Sequence, residues 1–140
     1  MLRTILLGAT LLAAVSAYPS GAPSGACDSL IPSHGTSSAQ TSTSPYSISV
    51  STPTNVTGGE SVTITLSGES DFLGFVLVAE TVDANNVRSS VGTFSNYDNN
   101  LVQTACVNSD GLTHKSAVTK NNIEITWTAP TGFTGHVSFW

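Results

Sequence analysis

Two cysteines have the most definite chemistry in this 140-residue chain. Cys27 and Cys106 are its only thiols, and such a pair either oxidises to a disulfide or stays reduced, depending on the compartment. A bridge between them would close a loop of about 80 residues, which chain-entropy arithmetic values at about 4.5 kcal/mol. Two free thiols are the alternative, and whether the protein is exported decides between them.

Nucleophilic catalysis lacks its usual sequence frame here. Serine is abundant, but no Gly-x-Ser-x-Gly elbow surrounds any serine, and a nucleophile needs a base and an orienting acid beside it. Glu69 and Asp71 lie close together beside Gly68, without the acidic spacing of a calcium loop. A solvated turn is the favoured interpretation of these acids. We therefore predict a protein that is not an enzyme and has no cofactor.

The histidines are the remaining candidates for metal ligands. His34 follows Cys27 by seven residues and His114 follows Cys106 by eight, so a disulfide would tether both within about 25 Å of one point. Two imidazoles could begin a metal site, but the spacing places no third ligand. Histidines that hydrogen-bond backbone carbonyls are the favoured interpretation. No metal site is predicted.

Asn55-Val56-Thr57 is the one N-glycosylation sequon of the chain. It lies in a turn-like stretch between two predicted strands, where an acceptor asparagine is accessible. In an exported protein we expect Asn55 to carry a glycan.

The first 17 residues have the form of a cleavable signal peptide. Arg3 supplies the positive charge, residues 5–14 form a short apolar run, and Val15-Ser16-Ala17 places small residues at a cleavage site. Cleavage is expected between Ala17 and Tyr18. An uncleaved anchor is the alternative, but it needs nearer twenty apolar residues. The predicted mature chain, residues 18–140, is a single secreted domain without a membrane span.

The charge of the mature chain excludes polyanion binding as its main role. Arg88, Lys115 and Lys120 face nine acidic residues, a net charge of −6, and these cations are scattered. Nucleic-acid binding requires clustered Lys and Arg, because affinity comes from neutralising phosphates. The same charge disfavours broad electrostatic capture of anionic membranes.

The elements that position these residues are predicted to be strands. Residues 20–45 are too polar to build a core, so Cys27 is expected to anchor this segment. From residue 46 onward, apolar and polar residues alternate with a period of two, which is typical of half-buried strands. The apolar members of the four alternating segments are Tyr46, Ile48 and Val50; Val62, Ile64 and Leu66; Ile123, Ile125 and Trp127; and Val137 and Phe139.

Residues 72–79 are continuously apolar and are predicted to form a central strand. Turn signals separate the segments; they lie at Gly58-Gly59, Gly68, Asn85-Asn86, Asp98-Asn99-Asn100, Asp110-Gly111 and Asn121-Asn122. The fold class predicted is all-β, an antiparallel β-sandwich of immunoglobulin-like topology. A small β-barrel is the alternative.

Several short motifs follow one another along the mature chain. They are Tyr18-Pro19-Ser20-Gly21-Ala22-Pro23, Ala26-Cys27, Ile31-Pro32-Ser33-His34-Gly35, Gly74-Phe75-Val76-Leu77-Val78-Ala79, Gly92-Thr93-Phe94, Gln103-Thr104-Ala105-Cys106, Leu112-Thr113-His114 and Trp127-Thr128-Ala129-Pro130. In this order they resemble a reeler domain over essentially the whole mature chain. The resemblance implies an immunoglobulin-like sandwich in which Cys27 bonds to Cys106. Family members usually continue through a full last strand beyond the equivalent of Phe139, whereas this chain stops at Trp140; a fragment that lacks either a strand end or further domains is one interpretation.

The resemblance also implies a class of function. Reeler domains occur alone in small secreted defence proteins of invertebrates, and at the N-terminus of reelin-like and spondin-like matrix proteins. They also form ectodomains of ferric-chelate-reductase-like proteins, whose redox chemistry belongs to other domains. The expectation is a secreted innate-immune protein that binds microbial surface components or immune cells. An extracellular-matrix or adhesion module, contacting a cell-surface protein or glycan, or the ectodomain of a larger protein is the alternative.

Overall fold

A computed structural model describes residues 18–32, 35, 38–52 and 55–140. Within these residues the chain forms one short helix and eleven strands. They are α1 (Ala26–Ser29), β1 (Tyr46–Val50), β2 (Asn55–Thr57), β3 (Ser61–Phe72), β4 (Val76–Val82), β5 (Arg88–Ser90), β6 (Thr93–Ser95), β7 (Val102–Ala105), β8 (Gly111–His114), β9 (Lys120–Thr128), β10 (Thr134–His136) and β11 (Ser138–Phe139). The predicted signal segment, residues 1–17 with Ala17, lies outside the described residues, as does His34. No helix in the described part is long and apolar enough to span a bilayer.

The strands form two principal sheets and one ribbon, and every pair is antiparallel. The first sheet has the order β1-β3-β9-β6, and the second has the order β11-β4-β8-β7 with β5 also paired to β4. Strands β2 and β10 form a separate two-stranded ribbon. The prediction of an all-β, antiparallel fold is confirmed.

Side chains from both sheets share one hydrophobic core. Strands β3 and β9 contribute the alternating residues that the sequence predicts, and Leu77 of β4 and Leu112 of β8 join the same cluster. Trp127 is fully buried, and its indole Nε1 donates to the carbonyl of Val91 at 2.9 Å. Because a buried indole N–H needs an acceptor, this bond fixes the ring within the core.

The first alternating segment differs from its prediction. Strand β1 forms, but Tyr46 and Ile48 are exposed. In the register, Ile48 pairs with Leu66, which is buried. Strand β1 is the edge of its sheet and pairs only with β3. Its apolar side chains therefore have a neighbouring strand on one side only. Alternation therefore predicts the strand but not its depth in the fold.

The prediction of one strand across residues 72–79 is wrong. Phe72 ends β3, residues 73–75 form a loop, and β4 begins at Val76. Strand β4 is central, as expected, since it pairs with β8 and β5 as well as with β11. An apolar run cannot show where one strand ends and the next begins when the turn between them is also apolar.

Two predicted turns lie inside strands. Gly68 belongs to β3 and pairs with Tyr46, and Asn121-Asn122 belongs to β9. The register between β3 and β9 shifts between Ser67 and Phe72. The signal at Gly68 therefore marks an irregularity in the strand, a common position for glycine. Glu69 and Asp71, predicted in a solvated turn, are exposed residues of this irregular segment.

The turn between β4 and β5 is organised by one carboxylate. Asp83 Oδ1 accepts backbone N–H bonds from Asn85 and Val87, each at 2.8 Å. These bonds hold the pKa of Asp83 below its usual value of 3.8. Because the folded-state pKa is depressed, the carboxylate of Asp83 contributes fully to folding stability above pH 3.8. This contribution is lost as the pH falls through the folded-state pKa.

Replacement of Asp83 by alanine is expected to loosen this turn at neutral pH. The amides of Asn85 and Val87 lose their acceptor and should exchange with solvent several-fold faster, while amides of the β3–β9 pair remain unchanged. Hydrogen exchange followed by NMR measures both sets. Equal exchange at Asn85 and Val87 in the two proteins would contradict this role for Asp83.

Candidate ligand groove

The disulfide joins the N-terminal arm, residues 18–32, to the second sheet. Cys27 lies in α1 and Cys106 follows β7, and their Sγ atoms are 2.13 Å apart. Gly111, the first residue of β8, packs on this bridge so closely that a Cβ there would overlap Cys106 Sγ. The pairing implied by the resemblance is present.

Two hydrogen bonds also hold the arm, for which the sequence predicts Cys27 as the anchor. The Ala22 N–H donates to Thr113 Oγ1 at 2.9 Å, and that hydroxyl donates to the Phe75 carbonyl at 2.7 Å. Gln103 Nε2 donates to the Ser20 carbonyl at 2.6 Å. Backbone groups of the arm supply most of these contacts, so its side-chain composition could not reveal them.

His114 is the buried polar group at the end of β8. Its Nε2 lies 3.0 Å from the carbonyl of Tyr18, and the Phe75 N–H donates to Nδ1 at 3.2 Å. A neutral ring with its proton on Nε2 satisfies both contacts. His114 thus has the carbonyl-bonding role that the sequence favoured. In the part of the chain that the structure describes, no cluster of His, Cys, Asp or Glu could hold a metal ion.

Gly74 allows the loop after β3 to lie against this ring. A Cβ at Gly74 would be 2.8 Å from Cε1 of His114, closer than carbon atoms approach without displacement. Because Gly74 has no side chain, the loop after β3 packs directly against the His114 ring, which in turn contacts the arm at Tyr18.

Lys120 joins two loops beside this layer. It is only 3% exposed, and its ammonium donates to the carbonyls of Leu73, Ser116 and Val118 at 2.8, 2.7 and 2.7 Å. Burial lowers the pKa of Lys120. Because three carbonyls converge on one ammonium, the loops after β3 and β8 are fixed to each other.

An ion pair holds the helix side of the arm. Arg88 Nη1 lies 3.3 Å from Glu80 Oε2, and its other terminal nitrogen donates to the backbone carbonyl of Asp28 in α1. Glu80 is buried beside a cavity of about 140 Å³ next to the disulfide. The side chain of Arg88 therefore connects β4, β5 and the arm.

Between the arm, the loop after β3 and Trp140 lies an open groove of about 700 Å³. Its lining includes Pro19, Ala26, Leu30, Leu73, Phe75 and Trp140. The polar side chains on it are Tyr18, Ser29 and His114, and no charged side chain lines it among the described residues. Trp140 is 49% exposed and pairs through its backbone with Val78. An open, mostly apolar concavity with a few polar groups is typical of a site for a small apolar ligand.

The residues singled out from the sequence lie in three places. Cys27 and Cys106 are bonded beside the smaller cavity, and Tyr18, next to the predicted cleavage site, lines the groove. Asn55 lies on β2 rather than in a turn, with Asn55 and Thr57 exposed and Val56 buried. The groove itself was not predicted, because its walls come from segments far apart in the sequence.

Comparison with known proteins gives one family. The sequence model of the reeler domain matches residues 25–140. The crystal structure of the human F-spondin reeler domain superposes with a TM-score of 0.57 and 28% identity, over 68% of this chain and 70% of that one.

Defence proteins and ferric-chelate reductases are both similar to this chain over most of its length. Defense protein l(2)34Fc of Drosophila melanogaster is 38% identical over 144 residues, covering 99% of this chain and 86% of that protein. A defence protein of Antheraea mylitta is 35% identical, with coverages of 99% and 83%. Ferric-chelate reductase 1 of Bos taurus is 36% identical over 129 residues, which are 89% of this chain but 21% of the reductase.

Proposed function

The chain belongs to the reeler domain family, and from this premise we propose that it is a secreted, non-catalytic recognition protein of innate defence that binds microbial surface components. The observation that carries the proposal is the similarity to the Drosophila defence protein, which extends along 99% of this chain and 86% of that one. A relative of matching extent is a better guide to the role of a chain than one that shares a single part with it.

The proposed binding surface is the groove, on an immunoglobulin-like sandwich. The groove is the larger of the two concavities described above, and its walls are fixed by the disulfide, by Lys120 and by Arg88. A rigid, concave surface loses little conformational entropy on binding. The apolar form of residues 5–14 and the disulfide support the proposal of export.

A matrix or adhesion module is the second candidate, and the likeness to the F-spondin reeler domain favours it. The reductases support no redox role here, since this chain matches about a fifth of their length. A transcript that continues past Trp140 into further domains would favour the matrix candidate over the defence protein.

The defence proposal is tested by incubating the purified secreted protein with bacteria, fungi and isolated wall components, then measuring what sediments with them. Binding to at least one class, together with expression induced by infection, is expected. Serum albumin of matched concentration serves as the control. No binding to any class and no induction would refute the proposal.

Asn55 is proposed to carry the N-linked glycan of the secreted protein. Asn55→Gln should increase gel mobility by the equivalent of one glycan, and glycosidase should then leave the variant unchanged while it shifts the wild type. The exposed side chains of Asn55 and Thr57 make the sequon accessible on the folded chain. Identical mobility of the two proteins would show that the sequon is empty.

A further inference from the structure

We infer that the groove binds the acyl chain of a single-chain lipid and leaves the lipid head group in solvent. This inference names a ligand class for the binding surface proposed above, and it rests on that proposal for its biological role. Its physical basis is separate and lies in the size, the chemistry and the exposed rim of the groove.

The size of the groove suits one aliphatic chain. Small-molecule sites occupy about 300–1,000 Å³, and this groove measures about 700 Å³. A methylene group takes up roughly the same space as a water molecule in the liquid, about 30 Å³. A chain of roughly 16 to 18 carbons therefore fits, with space left at the open side.

The chemistry of the lining favours hydrocarbon over sugar. A sugar needs several free donors and acceptors, because each buried hydroxyl must be paired. Both nitrogens of His114 are already occupied, by the Tyr18 carbonyl and the Phe75 N–H. The hydroxyl of Ser29 already accepts from the Ile31 N–H at 3.3 Å. Tyr18, which lines the groove and is half-exposed, is where a head group would be contacted.

The charge of the lining points the same way. No charged side chain lines the groove among the residues that the structure describes, so a charged group deep inside it would lose water without gaining a charged side chain as its partner. An uncharged chain meets no such cost. The head group, charged or not, then remains at the open side.

The rim carries an unusual share of exposed apolar surface. Among the described residues, ten large hydrophobic side chains are exposed, and four of them line this groove. These four are Tyr18, Ile31, Leu73 and Trp140. Contiguous exposed apolar residues mark binding sites, and tyrosine and tryptophan suit a boundary between hydrocarbon and water.

The two tryptophans provide a direct test. Trp127 is buried in the core and Trp140 lines the groove at 49% exposure, so only Trp140 should respond to an occupant. Titration with lysophosphatidylcholine carrying a 16-carbon chain, below its micelle concentration, should shift the emission to the blue and protect it from acrylamide quenching, saturating at one lipid per protein. Glycerophosphocholine, the same head group without the chain, should change nothing. No shift with the lysolipid, or an equal shift with the head group, would overturn the inference.

A blocking variant locates the lipid. Gly25 lines the groove, and its φ of −66° is one that any residue adopts in a helix. A Cβ at this position would meet no atom within 4 Å, so Gly25→Phe should fill the groove without strain. Affinity for the lysolipid should fall at least tenfold. Val107→Phe is the matched control, because Val107 is exposed and lies outside the groove lining, and it should bind as the wild type does. Equal affinity in the two variants would place the lipid elsewhere and refute the assignment.

The two proposals fail separately. A protein that binds the lysolipid through the groove but no microbial surface leaves the groove assignment standing and refutes the defence role. A protein that binds microbes but not the lysolipid refutes the acyl-chain inference alone.

Discussion

Replacement of both cysteines by alanine is expected to lower the free energy of unfolding by about 4.5 kcal/mol. The bridge spans 79 residues in sequence, and closing a loop of that length removes this much conformational freedom from the unfolded chain. For a domain of this size the midpoint of thermal unfolding should fall by about 15 °C. Alanine is preferred to serine because Cys27 is buried, and a serine hydroxyl there would need a partner. Thermal and urea unfolding of Cys27→Ala/Cys106→Ala measure the effect.

Wild-type protein in excess reductant is the control for the alanine side chains. It lacks the bridge but keeps both sulfur atoms, so it should unfold within about 1 kcal/mol of the double variant. Exchange of the Ala22 amide, which donates to Thr113, reports separately whether the arm leaves the sheet. A loss below about 1 kcal/mol in both samples would mean that the noncovalent contacts of the arm suffice.

The alternation of apolar and polar residues correctly predicted the strands whose apolar face packs in the core between the two sheets. Val62, Ile64 and Leu66 and their partners on β9 are buried as predicted. Strand β1 shows the limit, because a period of two defines a face but not whether another element covers it. Gly68 and Asn121 show a second limit, since their local turn preference yields to the pairing of β3 with its neighbours.

The arm could not be predicted from its composition. The hydrogen bonds that hold the arm use the backbone groups of Tyr18, Ser20 and Ala22. Every residue has such groups, so no side-chain pattern distinguishes the segment that uses them. Only Cys27 indicated that the arm packs against the second sheet, because a disulfide with Cys106 requires the two residues to be adjacent.

The motifs that carried the family resemblance also line the groove. Tyr18 and Ala22 from the first, Ile31 from the third, Gly74 from the fourth and His114 from the seventh are all on its surface. These motifs are far apart in sequence and gather only when the arm docks on β8 and on the loop before β4. The motifs therefore included residues of the candidate site but did not show that these residues lie together. Their arrangement depends on the contacts of His114 and Thr113 and on the disulfide.

Lys120→Met is expected to destabilise the protein by about 3 kcal/mol. Methionine retains the apolar stem within the buried volume, but the carbonyls of Leu73, Ser116 and Val118 lose a charged donor. Each such bond contributes on the order of 1 kcal/mol or more, and an unpaired carbonyl adds to the loss. Since Leu73 lines the groove, amides of the loops after β3 and β8 should also exchange faster. Urea unfolding and hydrogen exchange measure the two effects.

The pH dependence separates the ammonium from the packing of its stem. Burial holds the pKa of Lys120 below the 10.5 of an exposed lysine, so as the pH rises the folded protein releases this proton before the unfolded chain does. Between the folded-state pKa and 10.5 the unfolded chain binds more protons, and stability therefore rises with pH. The wild type should gain stability relative to Lys120→Met across this alkaline interval, since position 120 of the variant does not titrate. A constant difference, or one that shrinks with rising pH, would show that the ammonium is not held in a desolvated site. Lys115→Met, which removes an exposed lysine, is the matched control for the loss of one positive charge.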